Sequence, residues 1–498
     1  MAWSFADIYS RWEKTHDEQS EIRKRAESSE RTQEEGPTIN RIRRMVAQDE
    51  LDLHEMLLDD AVVAARLFLD RCHARGLRKV RIITGKGIHS KNGEAVLRPA
   101  VTAVCRNHPG VREVLVPKAS EGGSGALTVI LKPGNPRKGR VMKKVLVGMS
   151  GGIDSSVAAY LLKKQGYEVL GVTMSLWKEG RPFHGDVTRD ACFSPNKQEE
   201  IDGARTICER LGISHTVLDI SDLYESTVLK NFRDEYLCGR TPNPCIWCNR
   251  KIKFGAMVEY AREAGLEFDY FATGHYARID LEGGRYCLKR GMDPLKDQSY
   301  FLYRLSQAQL SSTLFPLGSM TKKDVREIDL ELGFHPEGQS ESQDFYSGSY
   351  ADLLDVEPRE GDIVDTDGNV LGRHNGIWNY TIGQRKGLGI AAPRPLYVIS
   401  LDVPGNRVVV GYEEKTVNTT VRAGLINWVS VDDLPSHLHA SAKIRSTGTP
   451  VSCEVFLDGM DRLCAVFDTP VKAATPGQSL VVYDNDRVLC GGIIESVD

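Results

Sequence analysis

The sequence describes an α/β protein of several domains, in which a small α/β sandwich precedes a parallel-sheet domain and a β-rich C-terminal part. Three observations carry this. From Lys143 an apolar strand, a glycine turn and a helix follow one another, and the alternation continues to Thr273. A shorter alternation runs from Leu51 to Leu131 and is separated from the first by PGNPRKGRVM, Pro133 to Met142, which reads as a linker. After about residue 360 short β-prone runs broken by turns such as DTDGN and VPGNR take over. A chain of 498 residues is too long for one core, and two to four domains are expected.

Residues 1–44 form a charged extension with few aliphatics after Ile22, expected to be partly helical or disordered. Their mixed charge matches neither a secretory signal nor a transit peptide. No stretch approaches the roughly 20 apolar residues of a membrane span, so a cytoplasmic protein is expected. Eleven cysteines in such a chain point to thiol chemistry or metal and away from a disulfide scaffold. The net charge of −4 conceals a basic block. Residues 71–140 hold 15 Lys and Arg against 3 Asp and Glu, while 141–498 hold 39 against 49. Such a block is the footprint of a nucleic-acid binder or a solvated basic surface, and motifs must arbitrate.

Within 45–133 the order reads strand, helix, strand, glycine loop, helix and strand. Leu57, Ala61, Ala64, Ala65 and Phe68 recur at helical spacing, and Val80, Ile82 and Ile83 form a strand-like run. LDLH (Leu51 to His54), TGKG (Thr84 to Gly87) and the closing TVIL strand resemble, in order, the motifs of the Smr (small MutS-related) domain. Glu55 departs from the family's usual glycine. The resemblance implies RNA or DNA binding, sometimes with endonuclease activity. Asp52 and His54 would then serve acid-base or metal roles or merely brace a loop. Gly85 and Gly87 would admit a phosphate beside Thr84, with Lys86 adding charge. Binding is favoured over cleavage.

From 142 onward the expected strands are Val145 to Gly148, Val169 to Met174, Thr216 to Ile220 and Tyr270 to Thr273, with a helix from Glu199 to Leu211. Alternation of this kind makes a parallel sheet covered on both faces, with the ligand at the C-terminal strand edge. Two adjacent glycines, Gly151 and Gly152, sit in the turn MSGGIDS and offer backbone N–H groups at a helix N-terminus, which makes a phosphate cradle. Neither the P-loop lysine signature nor G-x-G-x-x-G is present. The turn resembles the pyrophosphate loop of ATP pyrophosphatases, which cleave ATP between the α and β phosphates.

The further motifs GRTPNPCIWCNRKIKF, ATGHYAR, KDQSYFLYRLS, TIGQRKGLGI and TPGQSLVVYDNDRVLCGGII are similar to those of the tRNA-specific 2-thiouridylase family over nearly all of Met142 to Asp498. The resemblance implies a catalytic domain at 142–325, a central domain at 326–405 and a C-terminal β-barrel at 406–498. It implies ATP-dependent activation of the C2 carbonyl of the tRNA wobble uridine, followed by exchange of its oxygen for sulfur. Gly148, Met149, Ser150, Gly151, Gly152, Ile153, Asp154, Ser155, Met174 and Gly274 would hold ATP with Mg2+, Asp154 orienting the ion or simply capping the helix. Cys248 takes the catalytic position, with Arg250 and Lys251 expected to favour its thiolate. Asn243, Pro244, Cys245, Lys296, Asp297, Gln298 and Arg445 would meet tRNA. The sulfur donor, a cysteine desulfurase relay or sulfide, is left open, as is the oligomeric state.

Three departures are coupled. Tyr346 stands at or beside the position of the family's second cysteine, and no cysteine lies between Cys287 and Cys453. Cys245 replaces a common aspartate and makes a C-x-x-C with Cys248, while Cys192 lies in the loop after the second strand. Three converging cysteines admit a 4Fe-4S cluster, a persulfide on Cys248 resolved by Cys245 or Cys192, or structural zinc. The other eight cysteines read as buried small hydrophobes. The alternative to a thiolating enzyme is an RNA-binding or RNA-cleaving Smr protein with a degenerate thiolase part, against which the intact SGGIDS, CNRKIKF and KDQSYFL segments argue.

Overall fold

The computed structural model describes residues 39–54, 58–85, 97–118, 123–133, 143–178, 183, 191–195, 197–339, 345–459 and 461–498. The expectations for residues 1–38, Leu57, Lys86, Gly87 and the linker at 134–141 fall outside these. Two compact units result: one comprises the described residues of Lys143–Leu305 and Thr313–Asp498, the other the described residues between 39 and 133 together with Ser306–Ser312.

The N-terminal unit is built from α1 (Ile39–Arg44), β1 (Glu50–Asp52), α2 (Leu58–Ala74), β2 (Lys79–Ile83), α3 (Leu97–Asn107), β3 (Val111–Leu115) and β4 (Ala126–Leu131). Its sheet runs β1-β2-β4-β3. β1 and β2 are parallel, with Leu51 opposite Ile82, so a crossover is required and α2 supplies it. Ala61, Ala65, Phe68, Leu69 and Cys72 line one stripe of α2 and pack on Val80, Ile82, Leu127 and Val129. β3 was missing from the expected order: its alternation in VREVL is short, and pairing with β4 stabilises it. α1 lies within 1–44 yet belongs to the fold. Ile42 is fully buried, and Lys79 Nζ donates to the carbonyls of Arg43 (3.0 Å) and Met45 (2.6 Å), two of the helix's last acceptors.

The second unit opens with a parallel sheet. Its strands are β5 (Lys144–Gly148), β6 (Glu168–Ser175), β7 (Ser214–Asp219), β8 (Tyr270–Ala272) and, beyond the hairpin β9 (Ala277–Glu282) and β10 (Arg285–Arg290), β11 (Thr313–Leu314). The order is β11-β8-β5-β6-β7. The four expected strands are found within two residues of their expected ends, whereas β11 is two residues long and has no sequence signal. The chain leaves β5 toward β6 and returns to its other side as β8, so the crevice at the C-terminal ends of β5 and β8 is the switch point where ligands bind.

α4 (Ile153–Lys164) is buried on both faces. Val145, Val147, Ala159 and Leu162 form the sheet side, while Val157, Ala158 and Leu161 pack against Leu317, Val325 and Ile328. That explains its apolar sequence all round. α5 (Lys197–Leu211) covers the sheet through Ala204, Ile207 and Cys208. α6 (Lys322–Leu332) packs on the outer face of α4 and therefore stands with the parallel-sheet layer, past the expected boundary at 325.

A four-stranded sheet follows, ordered β13 (Val370–His374), β12 (Gly361–Val364), β15 (Arg407–Gly411) and β14 (Tyr397–Asp402). It ends at Gly411, beyond the expected 405. The last six strands are β16 (Val417–Trp428), β17 (Leu438–Lys443), β18 (Val451–Leu457), β19 (Leu463–Lys472), β20 (Ser479–Asp484) and β21 (Arg487–Val497). They run β16-β19-β18-β17-β20-β21, and β21 pairs back to β16. Closure removes exposed edges and encloses a core of Val421, Cys453, Val455, Leu480, Val482 and Ile494. No described helix is long and apolar enough to cross a membrane.

Candidate functional site

The phosphate loop is set by packing as much as by its own sequence. Gly151 has φ +76, and a Cβ there would stand 2.7 Å from the Glu200 carbonyl oxygen of α5, so both backbone and space demand glycine. Gly152 is the N-cap of α4, and Met149 N–H donates to the Val172 carbonyl at 2.7 Å. Ser150 N–H donates to Ser155 Oγ (3.2 Å), and the Ser155 and Ser156 hydroxyls both donate to the Gly152 carbonyl at 3.0 Å. These bonds close the turn around α4's N-terminal N–H groups, as an anion site requires.

Gly274 comes in from the C-terminal end of β8. A Cβ on it would lie 2.7 Å from the Asp154 carbonyl carbon, so only glycine lets this loop touch the phosphate turn. Asp154 Oδ1 accepts from Tyr276 OH (2.8 Å) and from Lys322 Nζ (2.6 Å). The Lys322 side chain is 9% exposed at the N-terminus of α6, where the helix dipole disfavours a cation. Stability alone does not place an ammonium there. Tyr276 and Lys322 were not anticipated; the capping box of Thr321 with Asp324 is legible in TKKD, but not where it aims the lysine. Met174 lies near the C-terminal end of β6, opposite Leu218, and the neighbouring Thr173 hydroxyl donates to the Met149 carbonyl at 2.8 Å.

The cysteines come from two segments. Asn243 and Pro244 start a helical turn, Pro244–Trp247, and Cys248 opens a π-helical stretch, Cys248–Ala256, a geometry frequent at functional sites. This stretch is anchored by Asn249 Nδ2 on the Phe301 carbonyl (3.1 Å) and an Arg250 N–H on the Arg304 carbonyl (2.7 Å). The barrel holds the preceding loop: Thr241 N–H donates to the Pro476 carbonyl (2.8 Å) and Gln478 Nε2 to the Thr241 carbonyl (2.9 Å). Cys192 is exposed, and the next residue, Phe193, donates its N–H to the Phe345 carbonyl at 2.9 Å. The Cys192 loop therefore lies against the segment carrying Tyr346, whose buried ring is 6.4 Å from that of Phe193. Space brings a cysteine to the place where sequence position lost one.

Burial first, then the nearby Cys248, Cys245 and Cys192, holds the fully buried Tyr224 hydroxyl well above its usual range. Burial first, then the neighbouring Cys192 and Cys248, push the Cys245 thiol up to about 12, opposed by Lys253. An Arg250 N–H is bonded to the Arg304 carbonyl, and Lys251 is exposed. Lys253 also opposes the charged form of His275, which burial holds well below the usual imidazole range, and His275 Nδ1 pairs with the Thr273 hydroxyl at 2.7 Å. Phe193 stacks on Tyr224 (5.4 Å) and Phe345 (6.1 Å) and completes an apolar wall.

Among the described residues no group of three or more His, Cys, Asp or Glu side chains is arranged to hold a metal ion, and this applies to the three cysteines as much as to zinc. The three thiols suit a cluster by donor chemistry, since thiolates are the ligands of such clusters and one iron would stay open. Seven of the other cysteines are buried as expected; Cys238 is exposed.

Of the expected RNA contacts, Asp297 and Gln298 are used inside the protein. The Asp297 side chain is 1% exposed and accepts from Arg290 Nε, Gly291 N–H and Ser299 N–H, each at 3.1 Å. Gln298 Oε1 accepts from Tyr276 N–H at 2.9 Å. Their carboxylate and amide shape the loop, while Lys296 is half-buried and Arg445 exposed. In the N-terminal unit His54 Nδ1 lies 2.5 Å from Asp52 Oδ1, and both side chains are about half exposed. Gly85, with φ +73, approaches His54, and Thr84 and Gly85 N–H groups both donate to the Gly125 carbonyl.

Comparison with known proteins now bears on these sites. The tRNA methyl transferase HUP domain matches residues 143–346, the tRNA methyl transferase PRC-barrel domain 354–412, the aminomethyltransferase beta-barrel domain 418–494 and the Smr domain 51–132. The tRNA-specific 2-thiouridylase MnmA of Endomicrobium trichonymphae is 46% identical over 355 residues, covering 70% of this chain and 98% of the relative. That of Nostoc punctiforme is 47% identical over 362 residues, covering 71% and 99%. That of Acetivibrio thermocellus is 43% identical over 362 residues, covering 71% and 99%. With almost the whole of these relatives matched, the chain belongs to the MnmA tRNA-specific 2-thiouridylase family and carries an Smr domain ahead of it.

Proposed function

We propose that the chain exchanges O2 of the tRNA wobble uridine for sulfur in an ATP-dependent reaction. The observation that supports it is a preformed phosphate turn and three grouped thiols in a chain 46% identical to a tRNA-specific 2-thiouridylase over nearly that protein's full length. ATP lies with its phosphates on the N–H groups of Gly148 to Ser155, between Met174 and Gly274. Lys322 and a magnesium ion carried by the nucleotide balance the phosphate charge, with Asp154 orienting both. Uridine O2 attacks the α-phosphorus: an O–P bond forms, the α–β bridging bond breaks and pyrophosphate leaves. Sulfur at the sulfide level then adds to C2 as the nucleophile, the C2–O2 bond breaks, and AMP departs with the former O2, leaving the thiocarbonyl.

Cys248 stands where sulfur is delivered, with Cys192 and Cys245 beside it. A Cys245 thiol pushed up to about 12 is a poor resolving nucleophile, so in a persulfide route Cys192 would resolve Cys248. A bound metal would ionise the thiols, and Cys192, Cys245 and Cys248 would then be the ligands of a 4Fe-4S cluster that offers an open iron to sulfide. Lys296, Arg445, Asn243 and Pro244 lie on the RNA side. The Smr domain adds RNA affinity through its basic surface, and the exposed Asp52 and His54 pair lies beside its glycine loop.

Iron and acid-labile sulfide in anaerobically purified wild type and Cys192→Ala, together with 2-thiouridine formed on tRNA and AMP released, test this. About four iron and four sulfide per chain, lost with thiolation in the variant, is the expected result. Metal-free protein that still thiolates tRNA would overturn the cluster and leave a persulfide on Cys248. RNA cleavage without thiolation would overturn the enzyme assignment.

A further inference from the structure

α6 touches the phosphate turn at both of its ends. Its first residue, Lys322, reaches Asp154. At its other end Gly333 takes a left-handed conformation (φ 60), Phe334 N–H returns to the Asp329 carbonyl (3.2 Å) and Gly333 N–H to the Leu330 carbonyl (3.0 Å). This cap folds the chain back over the helix. Arg210 of α5 donates to the Leu332 and Gly333 carbonyls (2.9 and 2.7 Å) and lies 5.1 Å from the centre of the Phe334 ring. The next residue is His335.

The His335 side chain is 8% exposed, and the Asp329 side chain beside it 2%. His335 Nδ1 lies 2.7 Å from Asp329 Oδ1, and its Nε2 lies 2.8 Å from the Gly151 carbonyl oxygen. The Gly151 carbonyl is an acceptor, so Nε2–H donates to it, while Nδ1 is turned to the Asp329 carboxyl group that orients the ring. In a trans peptide the N–H points opposite to the C=O. Holding the Gly151 carbonyl against His335 therefore aims the Gly152 N–H away from it, toward Ser150, whose Oγ at 3.5 Å is too far to compete with a phosphate oxygen.

We propose that His335, held by Asp329, is a positioning residue of the nucleotide site: it fixes the Gly151–Gly152 peptide so that the Gly152 N–H faces the ATP phosphates. This rests on the reading of Ser150 to Ser155 as the ATP phosphate loop. Without His335 the peptide is free to rotate, and the binding site must be ordered by the ligand itself.

Calorimetric titration of the full chain with Mg-ATP, paired with steady-state kinetics, tests this. His335→Ala should weaken ATP about tenfold, the scale of a lost buried hydrogen bond, and raise KM for ATP with kcat within about threefold. Asp329→Asn should stay within about threefold of wild type, because its amide can donate to Nδ1 while Nε2–H keeps the Gly151 carbonyl. His335→Gln alone donates its amide NH2 to the Asp329 carboxylate, leaves its oxygen against the Gly151 carbonyl and should remain weak, whereas His335→Gln with Asp329→Asn lets the new Asn amide donate to the Gln oxygen and the Gln NH2 donate to Gly151, and should recover ATP affinity. If His335→Ala does not fold, the two Gln variants carry the test. Unchanged ATP affinity in His335→Ala, or a double variant no better than His335→Gln, would overturn the inference. Wild type that binds no ATP would instead overturn the phosphate-loop reading.

Discussion

The phosphate end and the sulfur end of the site are built on opposite principles. At the phosphate end polar groups fix one another: Tyr276 and Lys322 on Asp154, Ser150 on Ser155, His335 on Gly151. At the sulfur end apolar rings do the holding, with Phe193 stacked between Tyr224 and Phe345, and burial there resists ionisation of the Cys245 thiol. The difference follows from what each end binds. A triphosphate has a fixed shape and charge, so a preformed cradle needs no reorganisation. Sulfur arrives and leaves in each turnover, so thiols that stay neutral until a cation or sulfur reaches them avoid permanent buried charge.

The largest effects should separate the two ends. Cys248→Ala should abolish 2-thiouridine formation, by at least about a thousandfold, while leaving ATP affinity within about twofold. Asp154→Asn should do the reverse. It removes the charge that pairs with the buried Lys322, so AMP release falls by about a hundredfold or more while labelling of the cysteines by iodoacetamide is unchanged. Calorimetry with Mg-ATP and mass spectrometry of tRNA nucleosides read the first arm, AMP release and iodoacetamide labelling the second. A Cys248→Ala protein that has lost ATP binding would show that the two ends fold as one unit and that the contrast is false.

A smaller effect probes packing alone. Gly151→Ala combines a φ of +76 with a Cβ only 2.7 Å from the Glu200 carbonyl oxygen. The expected loss is about 2 kcal/mol of stability from strain, together with weaker ATP binding as α5 is pushed off the turn. Gly166→Ala has a similar φ of +86 but meets nothing within 4 Å, so it should cost stability through strain alone and leave ATP binding unchanged. Equal ATP affinities in the two variants would show that α5 does not support the turn.

The same contrast explains what the sequence made legible. The phosphate loop is local: strand, turn glycines and helix lie in one run, and Gly151, Gly152 and Asp154 stand where that run puts them. The parallel strands were legible because their buried runs are long enough, while β11 is two residues and exists only because β8 pairs with it. Lys322 and His335 are separated from the loop by more than 160 residues, and only the packing of α6 on α4 brings them to it. Asp297 and Gln298 read as surface contacts from a polar stretch, KDQ, yet turn inward onto Arg290 and Tyr276. Cys192 was legible as a loop thiol; its proximity to the Tyr346 segment depends on the backbone bond between Phe193 and Phe345.

The smallest expected effect is a pH window of stability. Burial pushes Cys72 up to about 11 and Cys105, Cys208, Cys245 and Cys453 up to about 12, from an ordinary 9.0. A raised thiol means that folding favours the protonated form. The stability this contributes is complete below pH 9 and is lost as pH rises through 11 to 12. On the acid side burial lowers His215 and holds His275 well below its ordinary 6.5, so folding favours the neutral rings. Their contribution is complete above 6.5 and declines as pH falls below it. The thermal midpoint should therefore be flat between about pH 6.5 and 9 and fall on both sides. A Cys245→Ser variant tests the sulfur end's share: with a hydroxyl that does not ionise in this range, its alkaline decline should be shallower than that of wild type. An identical decline would place the whole alkaline effect in the buried cysteines of the cores and remove the sulfur end from it.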